Sequence, residues 1–294
     1  MRVPSSLRYD FTAMASPCEM VLEGRNEEAL GRAAEAAIAE VRRFEAKFSR
    51  YLPDSVVSLI NAGAGNQSIE VDAETASLLD FAAQLWSISD GAFDPTSGVL
   101  RRVWDFRKAR VPSQEELDAI LPLIGWQHVE REGNRVRLPR AGMELDFGGF
   151  GKEYAVDRAA AILQEHEVQH ALVNLGGDIH ALGEGEPWQI AIERPRPNGE
   201  GPLATISLSR GGLATSGDYE RYFEQDGKRY CHILDPRTGW PVAHWQSVTV
   251  VAANTTAAGA MATVAMLKVD GDEWLRQQGA KFLAVNARGE VIHE

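Results

Sequence analysis

The segment LDFGGFGKEYAVD, residues 145–157, places three glycines directly before a predicted helix that runs from about residue 152 to 166. Glycine lets backbone N–H groups come close to a ligand, and the start of a helix is the positive end of its dipole. Lys152 adds a cation at the same place. The segment matches neither the GxxxxGK[ST] phosphate loop nor the GxGxxG dinucleotide motif, so it predicts an anion-binding helix start of another kind, with an ordinary glycine turn as the alternative.

Hydrophobic periodicity on both sides of this segment predicts the other helices. One apolar stripe repeats at spacings of three and four residues on a long helix, and it consists of Leu30, Ala34, Ala37, Val41, Phe44 and Phe48. Ser113 and Glu116 form a capping box before a short helix that ends near Leu123. Two further helices are predicted over residues 72–89 and 255–268.

The remaining segments predict strands. A strand pair covers residues 7–24 and turns near Ser16-Pro17, and a hairpin covers residues 127–146 and turns at Gly133-Asn134. Further strands are predicted at 171–174, 188–193, 205–209, 212–215, 229–234, 247–253, 282–285 and 291–293. Runs of strands mixed with a few helices favour an α+β class over regular βαβ winding.

Composition excludes several classes of partner. The chain has 294 residues, with 30 Lys and Arg against 42 Asp and Glu, and its formal net charge is −12 at pH 7. Such a surface repels phosphate backbones and anionic lipid, so nucleic acid is not an expected partner. Cys18 and Cys231 are too few for a disulfide framework.

The start of the sequence, MRVPSSLRYDFTAM, has no apolar core of a signal peptide and no lipobox-like cysteine. No apolar run approaches the ~20 residues of a membrane span. We therefore expect no membrane insertion and a cytoplasmic location, or a periplasmic location if a leader has been removed.

Three further stretches offer polar groups in turns. GAFDPTSG (91–98) combines a carboxylate with two hydroxyls, and LVNLGGDIHALG (172–183) runs a strand into two glycines and an aspartate. The third combines HILDPRTGWPV (232–242) with NTTAAGAMATVAM (254–266), which brings His232 together with hydroxyls near a helix start. Each stretch alone is also compatible with an ordinary turn, and His232 with a structural histidine.

Taken in order, these stretches resemble the ApbE family of FAD:protein FMN transferases, formerly called thiamine-biosynthesis lipoproteins. The resemblance runs from about residue 11 to 270, and its motifs are AMASPCE (13–19), KFSRYLPDSVVSLIN (47–61), GAFDPTSG, LDFGGFGKEYAVD, LVNLGGDI, ATSGDYERYF (214–223), HILDPRTG and the last Thr-containing helix.

The resemblance implies one domain over residues 1–294, with a T-fold-like architecture of largely antiparallel sheets and packed helices. FAD would lie between two intimately joined halves. The family uses Mg²⁺ to cleave FAD, transfers the FMN phosphoryl group to a Thr or Ser of a partner flavoprotein, and releases AMP. By motif, the FAD-binding residues would be Met14, Tyr51, Ala92, Phe93, Asp94, Asp146, Lys152 and Ile233. The Gly149 carbonyl and Thr263 hydroxyl would bind the metal, and His232 would be the catalytic histidine.

Two positions depart from the family pattern. Gly259 stands where the last helix usually carries an aspartate that binds the metal, and Glu153 replaces the glycine of K-G-Y, which adds a carboxylate beside the predicted phosphate cradle. Because Mg²⁺ prefers carboxylate oxygen, the loss at Gly259 predicts weakened metal binding, which Gly259→Asp should restore. The alternative is that another carboxylate, such as Asp178 or Asp235, supplies the charge.

Three functions therefore remain open from the sequence. The leading interpretation is a flavin transferase. The second is a non-catalytic FAD-binding relative with a degenerate metal site, and the third is a pyrophosphatase that hydrolyses FAD to FMN and AMP.

Overall fold

The computed structural model describes residues 5–183, 185–197 and 199–294. The α-helices are α1 (Glu27–Phe48), α2 (Val56–Ala62), α3 (Ala73–Ile88), α4 (Gln114–Ile120), α5 (Gly151–Glu165), α6 (Thr255–Leu267) and α7 (Gly271–Gln277). The strands are β1 (Ser5–Ala13), β2 (Ser16–Gly24), β3 (Ile69–Glu70), β4 (Glu130–Glu132), β5 (Arg135–Arg137), β6 (His170–Leu175), β7 (Asp178–Leu182), β8 (Trp188–Ile192), β9 (Ala204–Leu208), β10 (Gly211–Gly217), β11 (Tyr222–Gln225), β12 (Lys228–Cys231), β13 (Trp245–Ala252), β14 (Lys281–Asn286) and β15 (Val291–His293).

The largest sheet has eight strands in the order β1-β2-β6-β7-β10-β13-β14-β15. Every neighbouring pair in it is antiparallel. A three-stranded sheet (β3-β5-β4) and the hairpins β8–β9 and β11–β12 complete the described strands. The predicted α+β class with largely antiparallel sheets is confirmed. Within the described residues, each helix is too short or too polar to cross a bilayer.

Helix α1 forms where its apolar stripe predicts it, and all six residues of the stripe are buried. Asn26 caps its start by accepting a hydrogen bond from the Ala29 N–H at 3.2 Å, and Glu27 and Glu28 lie in the first turn. The C-terminal part of α1 joins the largest core cluster, which also contains buried residues of α3 and α6. The rest of α1 packs with β2 and β6 in a second core.

Helix α5 contributes to both cores. Ala155 belongs to the largest cluster, whereas Val156, Ala159 and Leu163 belong to the second. The helix also packs directly against α1, α6 and β7. The helix therefore joins the two apolar cores, and its glycine-rich start lies at the largest one, to which Phe147 and Phe150 belong.

The first hairpin turns two residues earlier than the sequence predicts. β1 and β2 pair so that Ala13 lies opposite Ser16, which leaves Met14 and Ala15 as the turn, with φ angles of +52° and +56°. A two-residue hairpin turn needs positive φ, which Asn and Gly adopt far more readily than Met or Ala. The Met14 N–H is held by the Glu45 carboxylate of α1 at 2.8 Å, a contact that the local sequence does not reveal.

Two short helices were not predicted. In α2, Ser55 accepts a hydrogen bond from the Ser58 N–H at 3.0 Å, and in α7 the buried residues are Gly271, Trp274 and Leu275. Each helix has seven residues, so it offers too few apolar positions to establish a helical period. The predicted capping box of Ser113 and Glu116 and the turn at Gly133-Asn134 are confirmed, although β5 ends at Arg137.

Candidate active site

The turn between β6 and β7 fixes Lys152 at the start of α5. The Lys152 Nζ lies 2.9 Å from the Asp178 Oδ2 and donates a hydrogen bond to the Gly176 carbonyl at 3.1 Å. Burial alone would lower the pKa of Lys152, but the nearby carboxylates of Asp178, Glu153 and Glu220 together outweigh it, Asp178 most, and the pKa is raised above its ordinary value. Lys152 is therefore a fixed cation at neutral pH.

Gly176 can only be glycine in this arrangement. Its φ is +58°, and a Cβ there would lie 2.8 Å from the Cβ of Ser16 in the neighbouring hairpin. The close approach brings residue 16, which follows the Met14-Ala15 turn, to the turn that holds Lys152. Helix α5 has no side-chain hydrogen bond capping its start. Its first N–H, that of Gly151, donates to the Phe147 carbonyl at 2.7 Å, so an anion at this helix start would meet the N–H groups that follow Gly151.

Helices α5 and α6 are antiparallel, and their contacts repeat once per turn. At one end, the Asp157 Oδ1 accepts a hydrogen bond from the Thr255 N–H at 2.8 Å. At the other end, the Thr263 hydroxyl lies 3.5 Å from the Gly149 carbonyl oxygen. The structure thus brings together the two residues predicted to bind a metal, which are 114 positions apart in the chain.

Glu153 occupies the turn between these two contacts. A Cβ on Gly259 would lie 2.4 Å from the Glu153 Cγ and 2.5 Å from its Oε1, so the glutamate side chain takes the space of a side chain at position 259. Glu153 is 8% exposed, and its Oε2 has no hydrogen-bond partner among the described residues. Burial, reinforced by the negative charge of Asp178, raises the pKa of Glu153 to about 8. The sequence predicts this carboxylate beside the phosphate cradle; it helps to raise the pKa of Lys152 there, and its side chain packs against Gly259 of α6.

A second hydroxyl, from Ser216, adds a third oxygen atom beside the Gly149 carbonyl and the Thr263 hydroxyl. The Ser216 Oγ of β10 lies 3.2 Å from the Thr263 Oγ1, and a Cβ on Gly149 would lie 2.5 Å from the Phe93 ring. Among the residues that the structure describes, no three His, Cys, Asp or Glu side chains form a metal-binding group. The candidate site therefore offers oxygen ligands, which suit a hard cation such as Mg²⁺ and not zinc.

His232 is held as a neutral imidazole. Its backbone N–H donates to the Arg221 carbonyl at 2.9 Å, while its ring Nδ1 is buried and has no partner within the described chain. Burial is the main cause that lowers the pKa of His232 to about 4, and the positive charges of Arg221 and Lys152 lower it further. An unprotonated imidazole near Lys152 is chemically suited to accept a proton.

Asp94 is buried and uses both carboxylate oxygens within the protein. Its Oδ1 accepts from the Thr96 N–H at 2.8 Å and the Thr96 hydroxyl at 2.6 Å, and its Oδ2 accepts from the Trp126 N–H at 2.9 Å. Asp94 also lines a cleft of about 370 Å³, which Pro236 and Arg237 line as well. The cleft thus joins the GAFDPTSG and HILDPRTG motifs, and Asp94 shapes its wall.

Asp146 and Tyr51 meet through Arg50. The Arg50 guanidinium forms an ion pair with Asp146 and donates to the Tyr51 hydroxyl at 2.9 Å. Tyr51 is 73% exposed, which is unusual for an aromatic side chain without a ligand. Of the other predicted FAD-binding residues, Ala92 and Phe93 are buried, and Met14 and Ile233 are half-buried against the largest core.

Neither alternative carboxylate suggested by the sequence lies nearest Gly259. Asp178 is paired with Lys152, and Asp235 forms a two-pronged ion pair with the Arg237 guanidinium at 2.9 and 2.8 Å. The atoms closest to the missing side chain of Gly259 belong to Glu153.

Residues 14–284 match the ApbE family. The chain belongs to this family. It is 33% identical to the FAD:protein FMN transferase of Klebsiella pneumoniae over 271 residues, which cover 90% of this chain and 79% of the relative. It is 36% identical to the enzyme of the same name from Haemophilus influenzae over 241 residues, which cover 76% of this chain and 69% of the relative.

Solved ApbE structures have the same fold. The ApbE protein of Thermotoga maritima superposes with a TM-score of 0.90 at 35% identity and covers 99% of this chain and 97% of its own. The flavinyl transferase ApbE of Pseudomonas stutzeri gives a TM-score of 0.84 at 31% identity, with coverages of 99% and 94%. The family and the transferase class predicted from the motifs are confirmed.

The sequence did not identify three groups in this part of the ApbE fold. Arg50 and Ser216 lie inside motifs that were quoted, but nothing in their spacing singles them out. Glu153 was noticed only as a departure from the family pattern. Its position against Gly259 depends on the packing of two helices that are far apart in the chain.

Proposed function

We propose that this protein transfers the FMN phosphoryl group of FAD to a Thr or Ser hydroxyl of a partner flavoprotein, with Mg²⁺ as cofactor and AMP as the second product. The observation that carries the proposal is the start of α5, where Lys152 is fixed by Asp178 beside uncapped backbone N–H groups. Phosphoryl transfer depends mainly on such positioned positive charge. Similarity to FAD:protein FMN transferases along most of the chain supports the same reaction.

The FAD would lie along the residues named from the motifs. Lys152 and the first N–H groups of α5 would bind the pyrophosphate, and the exposed ring of Tyr51 would pack on a planar part of the ligand. Met14, Ala92, Phe93 and Ile233 would provide apolar wall or backbone contacts. Asp94 and Asp146 would act through the loops they hold, since their carboxylates already have protein partners.

The residues present fit a magnesium ion. The Gly149 carbonyl and the Thr263 hydroxyl are 3.5 Å apart, and Glu153, four residues after Gly149, has a carboxylate oxygen without a hydrogen-bond partner among the described residues. The carbonyl, the hydroxyl and the carboxylate are hard oxygen donors of the kind that Mg²⁺ binds while it keeps several waters. When bound, the ion would neutralise charge that develops on the phosphate oxygens.

His232 would handle the proton of the acceptor. As the acceptor oxygen bonds to the FMN phosphorus, the phosphoanhydride bond to AMP breaks, and the hydroxyl proton passes to the neutral imidazole. The low pKa of His232 keeps the imidazole unprotonated at neutral pH, so it is ready to act as a general base. Lys152 would stabilise the negative charge of the phosphates throughout.

The test is incubation of the protein with FAD, Mg²⁺ and an acceptor protein that carries the family's Thr motif. Mass spectrometry should show one FMN on the acceptor, and chromatography should show an equal amount of AMP. His232→Ala should lose transfer while keeping FAD binding. Free FMN with AMP and no modified acceptor would instead indicate a pyrophosphatase, and FAD binding with no product would indicate a non-catalytic relative.

A further inference from the structure

Two departures from the family pattern meet at one point of this structure. The chain lacks a carboxylate at position 259 of α6 and has an additional one at position 153 of α5. A Cβ at 259 would lie within 2.4–2.7 Å of three atoms of the Glu153 side chain. The carboxylate that is missing from one helix is therefore supplied in the same space by the facing helix.

The register of the helices places this carboxylate beside the candidate cation site. Gly149 lies four residues before Glu153, just ahead of the first residue of α5, and Thr263 lies one turn after Gly259 along α6. The Gly149 carbonyl and the Thr263 hydroxyl face each other there at 3.5 Å. A carboxylate at either 153 or 259 is thus on a residue four positions along the chain from one member of this oxygen pair.

Glu153 has the burial and the hydrogen-bonding of a side chain that could ligate a cation. More than nine-tenths of the residue is buried, and the Oε2 has no hydrogen-bond partner among the described residues. Buried carboxylates are otherwise paired, hydrogen-bonded or bound to a metal. The neighbouring cation, Lys152, is already paired with Asp178.

We propose that Glu153 supplies the carboxylate ligand of the divalent cation in this protein, together with the Gly149 carbonyl and the Thr263 hydroxyl. Position 259 is then a glycine because the side chain of any larger residue would displace that of Glu153. The proposal rests on the proposed Mg²⁺ dependence, but it concerns which residue of this chain holds the ion. It also replaces the expectation that Gly259→Asp alone would strengthen metal binding, since that change collides with Glu153.

The test measures Mn²⁺ binding directly, by the loss of the free Mn²⁺ signal in electron paramagnetic resonance, with and without FAD. Glu153→Gln should weaken binding at least about tenfold. Glu220→Gln is the matched control, because Glu220 contributes negative charge near Lys152 and Asp178 but is exposed and outside the α5–α6 contact. Its binding should stay within about twofold of the parent.

A double variant tests the exchange of positions. Glu153→Gly with Gly259→Asp recreates the arrangement typical of the family, and it should recover most of the Mn²⁺ affinity lost in Glu153→Gln. Equal Mn²⁺ binding by the parent and Glu153→Gln would overturn the proposal, as would a parent that binds no Mn²⁺. Thermal unfolding of each variant verifies that it is folded.

The proposal and the proposed function fail in different assays. If Mn²⁺ binding depends on Glu153 but no FMN reaches an acceptor, the ligand assignment stands and the transferase function does not. If FMN transfer occurs but Glu153→Gln binds Mn²⁺ normally, the transferase stands and the assignment is wrong.

Discussion

Asp157 is the group that we expect to hold α6 against α5, and Asp157→Ala is the change that tests it. Its Oδ1 accepts hydrogen bonds from the Thr255 N–H and the His180 Nδ1, each at 2.8 Å. Its Oδ2 accepts from the Thr256 N–H at 2.8 Å and the Thr256 hydroxyl at 2.5 Å. One carboxylate therefore satisfies the first N–H groups of α6 and sets the helix that carries Thr263.

The expected loss of stability follows from the hydrogen-bond donors that Asp157→Ala leaves without a partner. Thr255 is fully buried and Thr256 is 9% exposed, so water replaces few of the lost hydrogen bonds. A hydrogen bond to a charged group contributes about 1.5–3 kcal/mol, and removing one partner of a buried pair costs about 3–5 kcal/mol. Because the four bonds share one carboxylate and are not additive, we expect Asp157→Ala to lower the free energy of unfolding by about 3 kcal/mol.

The assay is urea unfolding followed by circular dichroism at pH 7. Asp80→Ala is the control, because the Asp80 carboxylate also forms an ion pair, with Arg131, but its side chain is 64% exposed. That substitution should cost about 1 kcal/mol or less. If Asp157→Ala costs no more than Asp80→Ala, the carboxylate does not hold α6 and the reasoning is refuted.

The difference in free energy of unfolding between the parent and Asp157→Ala should change with pH in a defined direction. Burial alone would raise the pKa of Asp157, but the hydrogen bonds from His180, Thr256 and Thr255 outweigh it and hold the pKa below its ordinary value. Such a carboxylate stabilises the fold above its unfolded pKa, and that stability is lost as the pH falls through the folded pKa. The gap between parent and Asp157→Ala should therefore be constant from pH 7 to about 5 and shrink in more acidic solution.

Three further predictions concern the candidate FAD site. Because the pKa of His232 is lowered to about 4, kcat/KM for FMN transfer, measured at saturating Mg²⁺ so that the proposed ligand Glu153 stays ionised, should stay constant from pH 7 to about 5 and fall near pH 4, and an acid limb centred at 6.5 would contradict this. Tyr51→Ala should weaken FAD binding roughly tenfold in a fluorescence titration, whereas Tyr51→Phe should bind FAD like the parent. Because the ring is exposed, neither change should alter stability in urea. Full FAD affinity in Tyr51→Ala would disprove the contact. Asp94→Ala should lower the free energy of unfolding by about 2–4 kcal/mol because three hydrogen bonds to a buried carboxylate are lost, and an unchanged urea midpoint would show that these bonds contribute nothing.

The sequence by itself determined the elements with a strong local signal. The apolar stripe predicted α1, Ser113 and Glu116 predicted the start of α4, and the glycines before Lys152 predicted the start of α5. Each signal arises within the element itself or beside its first residue, from periodicity, capping or backbone freedom, so no distant residue is needed to recognise it. The ordered motif series also predicted the ApbE family.

Only the tertiary structure decided how these elements meet. Met14 and Ala15 adopt positive φ where the Glu45 carboxylate holds the Met14 N–H from a helix 31 residues away. Gly259 was predicted to leave a gap in a metal site, yet the folded chain fills that position with Glu153. Periodicity tells which face of a helix is buried, but it does not tell which residue of another helix faces it. That register depends on contacts such as those of Asp157 with the start of α6, which form only when residues about 100 positions apart pack together.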